Sequence, residues 1–218
     1  MADAMADGFA HFDLGAMSKA DGYKLLVSTI MPRPIAWVVS RDAEGLNAAP
    51  FSFFNILSAD PPLVAIGFGT PTDRDEKDTL MNIRVQGEFV VNLVPEELAQ
   101  AMNVTATNAP RGTDETRLAG LELVKCEVVN VPRIVGSPVG LECKLFQVIE
   151  TGGTGTIVLG RIVYAHVRES AFANLERLYV DPSKLRLIGR MHGAGGYCTT
   201  RDTFTIDRLT WPLEGKTV

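Results

Sequence analysis

The 218-residue chain is poor in the residues that staple or metallate small proteins. Its three cysteines, Cys126, Cys143 and Cys198, are odd in number and widely spaced, with no CxxC pair. That excludes a disulfide framework and a cysteine-type zinc site, and fits reduced thiols in a cytoplasmic protein. Its three histidines, His11, His166 and His192, lie far apart and show no HExxH spacing, so no metal site is expected. No run approaches 18 consecutive apolar residues, which excludes a membrane-spanning helix. Positive charge is in the minority, with 21 Lys and Arg against 26 Asp and Glu and a net charge of −5. A dedicated nucleic-acid binder usually has the opposite balance. There is no GxSxG elbow and no GxxxxGK[ST] phosphate loop. The glycine clusters GGTG (152–155) and GAGG (193–196) do not join a strand to a helix as a dinucleotide fingerprint does. The opening MADAMADGFAHFD lacks the basic segment and apolar run of a secretory signal. Residues 1–17 read as an arm, poorly ordered or draped over a partner, ahead of one domain at 18–218.

What is present is ordinary in amount and informative in order. Apolar residues make up 46% and charged residues 22%, enough for a core without staples. Ser18 caps a helix over 18–27 that Pro32 and Pro34 bring to an end. IAWVVS (35–40) predicts a buried strand, RDAEG (41–45) a hairpin turn, and LNAAPFSFFNIL (46–57) a second strand bent at Pro50. After an Asp60-Pro61-Pro62 turn comes an apolar strand, 63–69, then a polar insertion, 70–78. A short helix over 79–86 has Asp78 or Thr79 as its cap, and a strand follows at 88–94. Residues 95–106 predict a helix with Pro95 in its first turn, and 107–121 a polar loop with one helical turn. The remainder reads as strands at 121–129, 139–151, 156–169 and 202–209, with a helical turn or short strand in 175–186 and a glycine-rich loop over 188–197. About seven strands and three short helices, with the strands in runs, exclude a doubly wound sheet. They predict a mainly β fold with short helices, built as a closed barrel.

Three segments carry candidate chemistry. NAAPFSFFN (47–55) puts small residues, a proline bend, a hydroxyl and three phenylalanines on one strand. It reads either as core packing with a bulge or as a wall for a planar heterocycle, with backbone groups freed at the bend. Lys77, Asp78, Thr79 and Asn82 open a helix, whose N-terminus suits a phosphate as well as an ordinary cap. Arg111, Gly112 and Arg117 put two guanidinium groups in a polar loop, either solvated or gripping a phosphate. His166 alternates within a strand and reads as structural. His192 and Tyr197, in RMHGAGGY, are candidates for a site or parts of a loop shaped by its own glycines.

The segments RPIAWVVSRDAEGLNAAPFSFFNILSADPPLVAIGF (33–68), KDTLMNI (77–83), GEFVVNLV (87–94), AMNVTATNAPRGTDETRLAGL (101–121), SPVGLECKL (137–145) and GRMHGAGGY (189–197) together resemble the flavin reductase-like family with its FMN-binding split barrel. The likeness spans roughly residues 18 to 211. It implies a homodimeric split β-barrel with non-covalent FMN near the subunit interface. The implied activity is hydride transfer from NADH or NADPH to flavin, with a partner monooxygenase as the eventual user. Reduction of a small acceptor such as a nitroaromatic, and electron carriage of the flavoredoxin type, are the alternatives within the same family. By position, Ala49, Ser52, Phe53, Phe54 and Asn55 are implied to line the isoalloxazine, with Asn47 a further cofactor-binding candidate. Lys77, Asp78, Thr79 and Asn82 are implied to hold the ribityl chain and phosphate, with Arg111, Gly112 and Arg117 reaching the phosphate. One relative pattern has Lys where this chain has Glu115, which loosens the role of Arg117. His192 and Tyr197 fall on the nicotinamide or acceptor side. Hydride transfer is the cofactor's own chemistry, so no acid–base dyad is expected.

Overall fold

The structure, a computed structural model, describes residues 8–43, 45–71 and 73–211. Residues 8–16 are exposed and lead into α1 (Lys19–Thr29), where the Ser18 hydroxyl accepts from the Asp21 N–H at 3.1 Å. β1 (Ala36–Arg41) sets the architecture because its Ala36, Trp37, Val38 and Val39 are apolar and fully buried on both faces. β2 (Leu46–Phe51) pairs with it through the predicted turn, where the Asp42 N–H donates to the Gly45 carbonyl at 3.0 Å. β3 (Phe54–Ala59), β4 (Pro62–Gly69), α2 (Asp78–Gln86) and β5 (Glu88–Leu93) follow. Next are a 3-10 turn (Glu96–Leu98), α3 (Ala99–Val104), α4 (Glu115–Leu118) and the small ladder of β6 (Leu123–Val124) with β7 (Arg133–Ile134). The long strands β8 (Val139–Glu150) and β9 (Gly155–Val167) form a hairpin across residues 151–154. Two short ladders complete the fold: β10 (Phe172–Asn174) with β11 (Tyr179–Val180), and, after α5 (Pro182–Leu185), β12 (Ile188–Arg190) with β13 (Tyr197–Thr199).

The main sheet runs β2-β1-β5-β8-β9-β4-β3, with every pair antiparallel. Its two edge strands, β2 and β3, are consecutive in the chain, separated only by Ser52 and Phe53. One bent strand therefore pairs with β1 before the bend and with β4 after it. The Gly67 N–H donates to the Phe53 carbonyl at 2.7 Å and carries the ladder through the bend. The sheet thus closes on itself and leaves no open edge at this seam. Inside lie Ala36, Val38, Val64, Ile66, Phe89, Val91, Cys143 and Val158, and Leu80 and Ile83 of α2 join the same cluster. Outside, Trp37, Val39 and Val90 are covered by Met102, Val129, Val131 and Ile134 from the 95–134 segment. β1 and β5 read as continuous apolar runs because they are buried on both faces.

Several elements differ from the sequence reading. The 202–209 segment alternates apolar and polar residues like a strand but pairs with nothing among the described residues and is exposed throughout. Alternation supplies a face, but a strand also needs a partner's edge. In 121–129 only Leu123–Val124 is strand, because the Glu142 carboxylate takes the N–H groups of Glu127, Val128 and Val129. The 95–106 helix begins as a 3-10 turn after Pro95 and becomes α-helical only at Ala99. Residues 175–186 contain both β11 and α5, the latter capped by the Asp181 carboxylate on the Ser183 N–H. The helical turn expected within 107–121 is α4, at Glu115–Leu118.

Candidate functional site

A cleft of about 890 Å³ opens between the bent strand, the start of α2, the end of β4, the start of β9 and residues 105–109. One wall is aromatic. Phe51 and Phe68 meet with ring centroids 4.5 Å apart, and Tyr23 of α1 approaches Phe53 at 6.2 Å. Gly67 lets the chain pass close behind Phe53: a Cβ there would lie 3.0 Å from the Phe53 Cβ. Ser52 of the bend and the small residue Ala49 face the same space.

The opposite end is polar and is organised by Asn47, which is buried on β2. Its Oδ1 accepts from the Thr79 hydroxyl at 2.6 Å and from the Ser40 hydroxyl at 3.2 Å. Its Nδ2 donates to Glu115 Oε2 at 3.0 Å, and the Ala48 N–H donates to the same oxygen at 3.1 Å. Burial pushes the Glu115 carboxyl above its ordinary range, outweighing these hydrogen bonds. Thr79 therefore does not cap α2. Lys77 occupies the cap position without a side-chain bond, and the Thr79 hydroxyl turns to β2 instead. The helix N-terminus thus opens toward the cleft with unpaired N–H groups and partial positive charge.

Three cations stand at this end, and they differ in commitment. Arg74 is a strut: it donates to Asp78 Oδ2 at 2.7 Å, to the Ala109 carbonyl at 2.8 Å and to Asn108 Oδ1 at 3.1 Å. Arg111 sits more loosely, 3.7 Å from Asp42 and 3.9 Å from Asp78. Lys77 makes no hydrogen bond or ion pair among the described residues. An aromatic wall, a hydrogen-bonding middle and a helix N-terminus with a spare ammonium can hold an elongated ligand that is planar and apolar at one end and anionic at the other.

Seven of the residues singled out in the sequence line this cleft: Asn47, Ala49, Ser52, Phe53, Lys77, Asp78 and Thr79. Asn82, Arg111 and Gly112 line a water-sized cavity next to it that shares Asn47 and Asp78. Phe54 packs against the barrel core, and Asn55 is exposed, its side chain accepting from the Ile56 N–H at 2.8 Å. Arg117 is exposed and paired with Asp114 at 3.3 Å. His192 and Tyr197 do not line the cleft; Tyr197 lies under the Arg190 guanidinium at 4.7 Å. The sequence reading passed over Arg74, Glu115 as a cleft residue, and residues 105–109. Arg74 looked like one charge in a solvated run, and its partners 34 and 35 positions away are invisible in sequence.

A second cluster lies apart from the cleft. Ligand atoms of Cys126, Glu142 and His166 fall within 4.8 Å of one another. Burial alone would raise the Glu142 carboxyl, yet the N–H groups of Glu127, Val128 and Val129 and a 2.7 Å contact to His166 hold it down at about 2. Burial and this carboxylate push the Cys126 thiol up to about 12, so it is unreactive. Both carboxylate oxygens are engaged in tying the 127–129 loop to β8, a structural task.

A closed antiparallel barrel whose bent strand walls a cleft, with a helix plugging the interior and opening its N-terminus into that cleft, defines a split-barrel protein. The sequence profile of the flavin reductase like domain matches residues 27–189, and the chain belongs to that family. The solved structure of nitrilotriacetate monooxygenase component B from Bacillus cereus is 34% identical, with a TM-score of 0.85 over 91% of this chain and 98% of that one. The 2-nitrobenzoate 2-nitroreductase NbaA of Pseudomonas fluorescens is 33% identical, with a TM-score of 0.84 over 94% and 100%. An uncharacterised protein of Deinococcus radiodurans is 43% identical over 206 residues, 92% of this chain and 90% of its own.

Proposed function

We propose that this chain is an oxidoreductase that holds FMN in the cleft and transfers hydride from NADH or NADPH to flavin. The observation that carries the reading is the pairing of an aromatic wall at Phe51, Phe53 and Phe68 with an open helix N-terminus and an uncommitted Lys77 at the far end. The residues fit the group. The cleft is within the size range of cofactor pockets, and Lys77 and the start of α2 at one end supply positive charge for a phosphate. Asn47 and Thr79 offer hydrogen bonds between the two ends. When bound, the flavin supplies the hydride chemistry. The chain's own residues would bind and orient it: Lys77 and the first N–H groups of α2 would hold the anionic end, and Ala49, Ser52 and Phe53 would face the ring. Arg74 and the Asn47 network keep that end from shifting.

A second reading has a specific observation behind it. Likeness to a 2-nitroreductase over 94% of this chain favours direct reduction of a nitroaromatic by a bound flavin. Likeness to a monooxygenase component favours delivery of reduced flavin to a partner enzyme. The deciding experiment is direct. The purified protein is mixed with FMN or FAD, reduced anaerobically with NADH or NADPH, and followed for flavin bleaching. Free FMN and 2-nitrobenzoate are then offered separately as sole acceptor. Turnover with free FMN supports the first reading, and turnover with the nitroaromatic alone supports the second. Protein that binds no flavin defeats both. Binding and reduction by a third protein, without NAD(P)H oxidation, would indicate a carrier.

A further inference from the structure

Arg33 is almost wholly buried, at 9% exposure, and no carboxylate among the described residues lies within ion-pair distance of it. Its partners are neutral and come from three separate parts of the chain. One terminal nitrogen donates to the carbonyls of Val27 and Ile30, each at 2.8 Å, closing the end of α1. The other donates to the Met191 carbonyl at 2.9 Å, at the start of the glycine loop that holds His192. Its Nε points at the Ser52 hydroxyl, 3.5 Å away, in the bend that walls the cleft. The backbone is fixed as well, since Arg33 and Arg190 exchange two N–H···O bonds of 3.0 and 2.8 Å. A guanidinium with only neutral acceptors has no opposite charge beside it. Such a charge is costly to bury unless something negative comes near it. The open side of Ser52 is the cleft.

We propose that Arg33 positions Ser52 and the 191–196 loop and sets a positive potential at the aromatic end of the cleft, favouring a ligand that is negative there. Resting on the flavin reading above, this means tighter binding of reduced than of oxidised flavin. Hydride brings two electrons and one proton, so the ring gains one negative charge on reduction. This end is distinct from the Lys77 end, where a phosphate is negative in both states.

The test compares Arg33→Met, which removes the charge, with Arg33→Lys, which keeps it and loses the fork. Dissociation constants of FMN are measured oxidised and, anaerobically, reduced, together with the midpoint potential of the bound flavin. Arg33→Met is expected to weaken the reduced form about tenfold more than the oxidised form, which for two electrons lowers the potential by about 30 mV. Arg33→Lys is expected to keep the potential near that of the parent while the 191–196 loop becomes more open to limited proteolysis. A folded Arg33→Met protein with an unchanged ratio and potential overturns the proposal. If that variant does not fold, a folded Arg33→Lys protein with the full potential drop overturns it equally. Failure of the parent protein to bind FMN defeats the flavin reading itself, a different result from either.

Discussion

Lys77 is the least committed cation among the described cleft residues, since Arg74 and Arg111 both have carboxylates beside them. A charge-assisted bond from it to a phosphate is worth about 2 kcal/mol. Lys77→Met should therefore weaken FMN by at least about tenfold and leave riboflavin, which lacks the phosphate, unchanged in a fluorescence titration. Equal loss for both ligands would move Lys77 away from the phosphate. At Glu142 the prediction concerns stability. Its carboxyl is held at about 2 against an ordinary 4.5, so its contribution is fully present above pH 4.5 and is lost as pH falls toward 2. The shift corresponds to roughly 3 kcal/mol at neutral pH. Glu142→Gln places an amide N–H₂ against backbone donors and should lose stability of that order in urea at pH 7, with a flatter acid limb. Residue identity was legible where chemistry is local. Small residues and phenylalanines on a bent strand marked the wall, and KDT marked the helix start. Glu115, 68 positions from Asn47, and Arg33, 158 positions from Met191, were not legible in those roles, because nothing in sequence records who their partners are.

At the scale of elements, the barrel depends on Phe89 reaching across its interior to Gly160 of β9. A Cβ at Gly160 would lie 2.4 Å from the Phe89 Cζ, inside any allowed contact, so the ring requires that glycine. Gly160→Ala should cost about 1–3 kcal/mol by overpacking, read as a lower urea midpoint with an unchanged slope. Adding Phe89→Leu should return part of the loss, whereas simple additivity of the two changes would show that they do not meet. The strands of this barrel were readable because burial on one or both faces imposes a period on the sequence. β1, β4, β5, β8 and β9 all fall where that period predicts them. The β6 region was misread as a longer strand because its apolar residues face a core while its backbone donors serve a buried carboxylate, and a period reports only the former. The bend was expected at Pro50, but Pro50 keeps its register with Trp37 and the break falls two residues on, at Ser52 and Phe53; that the two halves pair with different neighbours is a property of the sheet.

For the whole molecule, the outer surface of the chain poses a question of solvation. After Arg201, which is paired with Glu96 at 3.1 Å, residues 202–211 belong to no strand or helix and are exposed throughout. Phe204, Ile206, Leu209 and Trp211 are between 50% and 87% exposed. On the barrel, Ile56 and Leu57 of β3 are each 61% exposed. Burying one such side chain is worth about 1.5–3 kcal/mol, so covering the four in the segment is worth about 6–12 kcal/mol. That is enough to offset much of the cost of association and reach a stable dimer, though area alone does not set affinity. We expect the chain to sediment at twice its own mass at micromolar concentration, with this segment lying on the second copy. A chain ending at Arg201 keeps its ion pair to Glu96, so the barrel should unfold at nearly the same urea concentration while sedimenting as a monomer. Ile56→Glu puts a charge on the exposed face of β3. If that face receives the segment, this single change should give the same monomer in the full-length chain. A full-length protein that is already monomeric would sink the expectation. A dimer that survives both changes would locate the contact elsewhere on the barrel.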